Sequence, residues 1–110
     1  MNITENVKDN ISVFALQGRV DSQGAIDLEL TLRAALEEGA SRMILDLSKV
    51  TYINSAGLRI LADILSQNRE NAGDLLLVTP PPRIQRVLQI IGFDKFFRTF
   101  ESVELAMQAF

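Results

Sequence analysis

The stretch from Met43 to Ala72 restricts the fold more than any other part of this chain, because it asks for a buried strand followed without a spacer by an amphipathic helix. Met43 to Leu47 is an apolar run broken by one charge, Asp46, and its length suits a buried strand better than a helix. After Lys49, Val50-Thr51-Tyr52-Ile53 keeps the β-branched and aromatic character until Asn54-Ser55 changes the pattern. Leu58, Leu61, Ala62 and Leu65 recur at helical spacing, which predicts Ser55 as the N-cap of a helix running to about Asn71, with Gly73 closing it. A hydroxyl there lies where backbone N–H groups and the positive end of the helix dipole favour negative charge, so the fold would tolerate a phosphate on Ser55. Ala56 and Gly57 carry almost no side chain, leaving room for another protein's backbone or a nucleotide phosphate to come close. Most serines at such positions only cap, and the spacing by itself leaves cap and modification site both open.

The flanking segments alternate between the periods that mark strands and helices. Residues 3–8 alternate weakly, Ile11 to Gln17 alternates clearly up to Gly18, and the turn pair Asp9-Asn10 between them predicts a hairpin. Gly18 to Ser22 breaks the pattern, and Asp21 or Ser22 can cap a helix reaching about Glu38, with Gly39 in the C′ position. Ala25, Leu28, Leu32, Ala35 and Leu36 share its inner side. Ile26 and Leu30 do not, and are expected under a neighbouring loop, the alternative being a partner surface. Leu75 to Thr79 is a continuous apolar run, as in an interior strand covered on both faces. Pro80-Pro81-Pro82 ends it, and the last proline can lead a helix carrying Ile84, Val87, Leu88 and Ile91, stopped by Gly92. Lys95 to Phe100 is predicted as a strand, after which Glu101 or Ser102 starts a final helix carrying Val103, Ala106 and Met107. The order β-β-α-β-α-β-α-β-α belongs to the α/β class. It predicts a single domain over 1–110, with a mostly parallel central sheet, right-handed crossovers, helices packed on the sheet and the antiparallel hairpin at one end.

The chemistry is bounded by two absences. With no cysteine and no histidine, the chain has no disulfide, no thiolate and none of the commonest general base or metal ligands, which argues against an enzyme. A serine in a strand-to-helix turn invites comparison with the nucleophile elbow of hydrolases, but that spacing needs glycines at 53 and 57, and position 53 is Ile. Phosphate-binding glycine motifs are absent and Gly57 stands alone, so nucleotide binding has no cradle and no following lysine to support it. Asp21, Asp46 and Asp63 could gather as a hard-metal site, but capping, turn and surface roles account for them, and neither metal nor cofactor is expected. A net charge of −3 argues against nucleic acid as the partner. The local basic group Arg83, Arg86, Lys95 and Arg98, set against Asp94, reads as a solvated face. No apolar run approaches bilayer length, and the polar start Met1 to Asn6 lacks a basic segment followed by an apolar one, so a cytoplasmic location without membrane insertion is the expectation.

The run Leu45-Asp46-Leu47-Ser48, Val50 and Tyr52-Ile53-Asn54-Ser55-Ala56-Gly57-Leu58 resembles the signature of STAS domains, the family of anti-sigma factor antagonists and of the cytoplasmic domains of sulphate transporters. Gly18-Arg19-Val20-Asp21 resembles that family's glycine-x-hydrophobe-aspartate turn, and the resemblance covers about residues 3–109 in the family's element order. It implies a non-enzymatic binding module, a monomer or weak dimer. In bacterial antagonists the serine matching Ser55 is phosphorylated by an anti-sigma factor that is itself a serine kinase, and a metal-dependent phosphatase reverses this. The implied role is that the unmodified chain binds that kinase and releases a sigma factor, thereby regulating sigma-dependent transcription. The docking surface is expected to comprise Asp21, Asn54, Ser55, Ala56, Gly57, Arg59, Ile60 and Asp63, with Ser66 and Glu70 exposed beside it. Asn54 replaces an aspartate common in the family, and Arg59 stands where a second glycine is common, making the surface bulkier and more cationic. The alternative is a constitutive STAS subunit or scaffold of a lipid-transport or sensory complex, docking by the same surface without a switch.

Overall fold

The opening hairpin forms because Asp9 and Asn10 both accept positive φ, 54° and 66°, the backbone that a two-residue turn between antiparallel strands requires. In the computed structural model, which describes all of residues 1–110, this turn joins β1 (Asn2–Lys8) to β2 (Ile11–Val20). The chain continues through α1 (Ser22–Glu37), β3 (Arg42–Ile53), α2 (Ser55–Glu70), β4 (Asp74–Val78), α3 (Pro82–Ile90), β5 (Thr99–Phe100) and α4 (Val103–Gln108). The five strands lie in the order β1-β2-β3-β4-β5, and every pairing after the hairpin is parallel.

Since each parallel strand is added on the same side of the last, right-handed crossovers bring α1, α2 and α3 to one face of the sheet. There they bury Leu28, Leu32, Leu61, Ile64, Ile84 and Leu88 against Phe14, Leu16, Met43, Leu45, Leu75 and Leu77 in a core of 21 residues. Helix α4 follows the last strand and covers part of the other face, where a core of only 5 residues (Ile11, Ile44, Leu76, Val78, Ala106) forms. The first face therefore carries the fold. The continuous apolar run of β4 follows from this layering, with Leu75 and Leu77 entering one core and Leu76 and Val78 the other.

Three local expectations are corrected. β2 does not end before Gly18 but runs past it to Val20, while β3 is one strand of 12 residues, as the single strand expected ahead of Ser55 requires. Irregular register between Ala15 and Gln17 and between Gly18 and Arg19 absorbs the break in pattern, with Gly18 at a φ of 106°. Residues 95–100 are not a full strand. A 3₁₀ turn over Phe93–Lys95 places the Phe93 and Phe97 rings 5.5 Å apart at helical spacing, burying Phe97 and leaving only Thr99–Phe100 to pair with β4. Gly73 does not close α2, because Asn71 is the C-cap and Ala72 takes the left-handed conformation at a φ of 61°. Glycine is needed at 73 for a different reason: a Cβ there would overlap the Ser41 carbonyl, which accepts a hydrogen bond from the Asp74 amide at 3.0 Å.

These two adjacent positions make opposite demands. Ala72→Gly is expected to raise stability by about 0.5–1 kcal/mol by relieving the left-handed alanine, and Gly73→Ala to lower it by about 1–3 kcal/mol by forcing α2 off the β3 entry. Urea denaturation of the two variants against the parent measures both.

Candidate functional site

The strands β2 and β3 end in register, Val20 beside Ile53, and the Asn54 amide donates to the Val20 carbonyl at 2.9 Å. The residue that follows each strand then caps a helix. Asp21 Oδ1 accepts from the Gly24 amide at 2.9 Å to start α1, and Asn54 Oδ1 accepts from the Gly57 amide at 2.8 Å to start α2. Both helices thus begin side by side at the carboxyl edge of the sheet, with their first turns satisfied by side chains of the same kind.

This arrangement corrects the role expected of Ser55. The residue with extended backbone (φ −89°, ψ 177°) is Asn54, so the amide side chain takes the capping position. Ser55 is instead the first residue of α2, exposed, and its hydroxyl has no hydrogen-bond partner within the chain. Ala56 and Arg59 are exposed with it, as are Asp21, Asp63, Ser66 and Glu70, while Asn54 is half-buried.

Two residues expected on the docking surface belong to the core. Gly57 is buried, and a Cβ there would lie 2.7 Å from Val20 Cγ1 and 2.9 Å from Ile53 Cγ1, so the glycine lets α2 rest on the strand ends rather than admitting a partner. Ile60 is 7% exposed and packs in the main core, being almost one turn beyond Gly57 on the inner side of the helix. Gly24 has the equivalent duty in α1, where a Cβ would approach the Arg19 carbonyl to 2.7 Å; the sequence reading did not single it out, and its spacing from Asp21, matching that of Gly57 from Asn54, is the signal that could have found it.

Ile26 and Leu30 are not covered by a loop. They are 52% and 66% exposed and fall with Arg33 on one outer stripe of α1 at i, i+4 and i+7 spacing. Arg33 donates to Glu29 Oε2 at 2.9 Å and lies 3.9 Å from Asp63 Oδ2, bringing this stripe alongside the exposed side of α2. Below the turn, the Arg19 guanidinium sits 4.4 Å over the Tyr52 ring, a contact created by the β2–β3 register and not visible in either segment alone.

The three aspartates weighed as a metal site are occupied separately: Asp21 caps α1, Asp46 Oδ1 accepts from the Ser48 amide at 3.0 Å, and Asp63 faces Arg33. No group of three or more acidic side chains converges to hold a metal ion. A surface cavity of ≈ 420 Å³ lies at the opposite end of the helices, lined by Glu38, Gly39, Asn71 and Ala72 among others, away from the exposed Ser55. No helix is long and apolar enough to cross a membrane.

Comparison with known proteins finds relatives in sequence and in fold. A protein of Bordetella bronchiseptica assigned as an anti-sigma factor antagonist, BtrV, is 37% identical over 110 residues, covering all of this chain and 95% of that protein. The anti-sigma-F factor antagonist RsfB of Mycobacterium tuberculosis is 28% identical over 108 residues, covering 96% of this chain and 88% of the relative. In fold, the crystal structure of a Thermotoga maritima protein, tm1081, superposes with a TM-score of 0.92 at 21% identity, covering 97% of this chain and 92% of that one. The family model described as the STAS domain matches residues 2–106, and the chain belongs to the STAS domain family.

Proposed function

We propose that this chain is an anti-sigma factor antagonist that binds an anti-sigma factor of the serine-kinase type when unmodified and lets it go when Ser55 is phosphorylated. The observation that carries this reading is the position of Ser55: exposed, at the first residue of α2, with an idle hydroxyl because Asn54 does the capping. The names of the similar Bordetella and Mycobacterium proteins support it. In the modifying step the Ser55 oxygen displaces ADP from the γ-phosphorus of ATP held by the kinase, and the hydroxyl proton passes to a base of the kinase, since no side chain of this chain is hydrogen-bonded to that hydroxyl. The phosphate adds nearly two negative charges and considerable bulk to a surface that must pack against the partner. At a helix amino end that charge is tolerated, so α2 stays folded while the interface is lost. A metal-dependent phosphatase acting on the monoester resets the chain, and partners of this kind place the protein in the cytoplasm.

The docking surface that the geometry supports is Asp21, Asn54, Ser55, Ala56, Arg59 and Asp63, extended along α1 by Ile26 and Leu30. Two large apolar side chains left open next to polar groups are what a partner buries at the centre of an interface.

Incubation with a serine-kinase anti-sigma factor and ATP is expected to put one phosphate on Ser55 and none on Ser55→Ala, read by peptide mass mapping. Ser55→Glu is expected to weaken binding of that kinase on the order of tenfold or more. Equal binding by Ser55→Glu would mark a constitutive subunit instead. Leu30→Glu, tested by calorimetry with the same partner, should lose about 1–2 kcal/mol of binding with an unchanged melting temperature. Asn54→Ala should cost about 1 kcal/mol of fold stability, whereas Ser55→Ala should cost less than about 0.5 kcal/mol in urea denaturation, because only the first removes a cap.

A further inference from the structure

Among the cations near the amino end of α2, Arg59 alone has nothing to hold. Arg33 is engaged by Glu29 and Asp63, Arg19 lies over the Tyr52 ring, and at the far end of the helix Arg69 donates to Asp74 and to the Phe96 carbonyl. Arg59 is exposed and forms no ion pair or hydrogen bond, although Asp63 stands four residues beyond it, because that carboxylate is turned towards Arg33. Four residues in the other direction along the same helix is Ser55. Side chains at i and i+4 are neighbours on a helix surface, within reach of a long guanidinium and a phosphate.

We propose that Arg59 captures the phosphoryl group on Ser55 in an ion pair along α2, an inference that rests on the reading of Ser55 as the modified residue. The consequence is that one modification removes two docking groups. The Ser55 surface is covered by phosphate, and the Arg59 guanidinium, free to meet an acidic group of the partner beforehand, is withdrawn into the chain. The neighbouring charges include Asp21 at the start of α1, Arg19 on β2, and Arg33 with its partners Glu29 and Asp63; the new contact uses none of their existing pairings.

The test needs no kinase. Phosphoserine is installed at position 55 during synthesis, and the phosphate is titrated by phosphorus NMR in the parent, Arg59→Gln and Arg59→Lys. A nearby cation favours the dianion, so the parent midpoint is expected about half a pH unit below that of Arg59→Gln, with Arg59→Lys recovering part of the shift and 1 M salt erasing most of it. Unmodified Arg59→Gln should melt with the parent, since the side chain is exposed and unpaired. Equal midpoints for the parent and Arg59→Gln overturn the ion pair even if kinases do modify Ser55. A phosphate mapped to another residue by the kinase, with the shift intact, overturns the switch at Ser55 and leaves the pairing standing.

Discussion

The hydrogen bond from the Asn54 amide to the Val20 carbonyl fixes where both helices of the functional end begin. It extends the β2–β3 pairing by one residue, so that the two strands stop at the same level and the next residue of each, Asp21 and Asn54, is held in extended backbone with its side chain over the first turn of a helix. Each cap satisfies an amide three residues on, and in both helices that amide belongs to a glycine with backbone or side chain pressed against it. Were Gly57 any larger, α2 would have to lift from Val20 and Ile53, and the first turn would no longer sit over its cap. The exposed face above, including Ser55, inherits its geometry from these buried contacts.

What the sequence made legible and what it hid divide along the distance over which the deciding interactions act. The element order follows from local periodicity, which also narrows the caps of α1 and α4 to Asp21 or Ser22 and to Glu101 or Ser102; the structure uses Asp21 and Ser102. Asn54 and Ser55 are both good capping residues, so propensity cannot choose between them. The choice is made by the strand that lies across from Ile53, which is not adjacent in sequence. The same reason hides the exchange at Ala72 and Gly73, where the Ser41 carbonyl decides which residue must lack a side chain. Phe96 and Phe97 read as strand because aromatic residues favour strands, yet Phe97 finds its burial beside Phe93 through one helical turn, and burial outweighs the local preference.

The charges at this end contribute little to holding the helices in place. Arg33 is half-buried and Asp63 exposed, with 3.9 Å between them, and a pair so open to water is worth about 0–1 kcal/mol. Burial of Leu28, Leu32, Leu61 and Ile64, each fully or almost fully removed from water, contributes about 1.5–3 kcal/mol per side chain. The helices are therefore oriented by their inner faces, and the outer charges and the open pair Ile26 and Leu30 are available to recognition without a cost in folding.

This separation bears on why a serine at the first helical position suits a reversible modification better than one at the cap. A capping hydroxyl satisfies an amide of the first turn, and esterifying it would put that hydrogen bond, typically worth about 0.5–2 kcal/mol, at risk on every cycle. With Asn54 in the capping position the bond to Gly57 is made by a side chain that the modification does not touch. A phosphate on Ser55 would lie beside the first-turn amides at the positive end of the helix dipole, where negative charge is favoured. The buried contacts of Gly57 and Ile60 do not involve the Ser55 hydroxyl, so a change of charge there would reach a partner's surface without passing through the core.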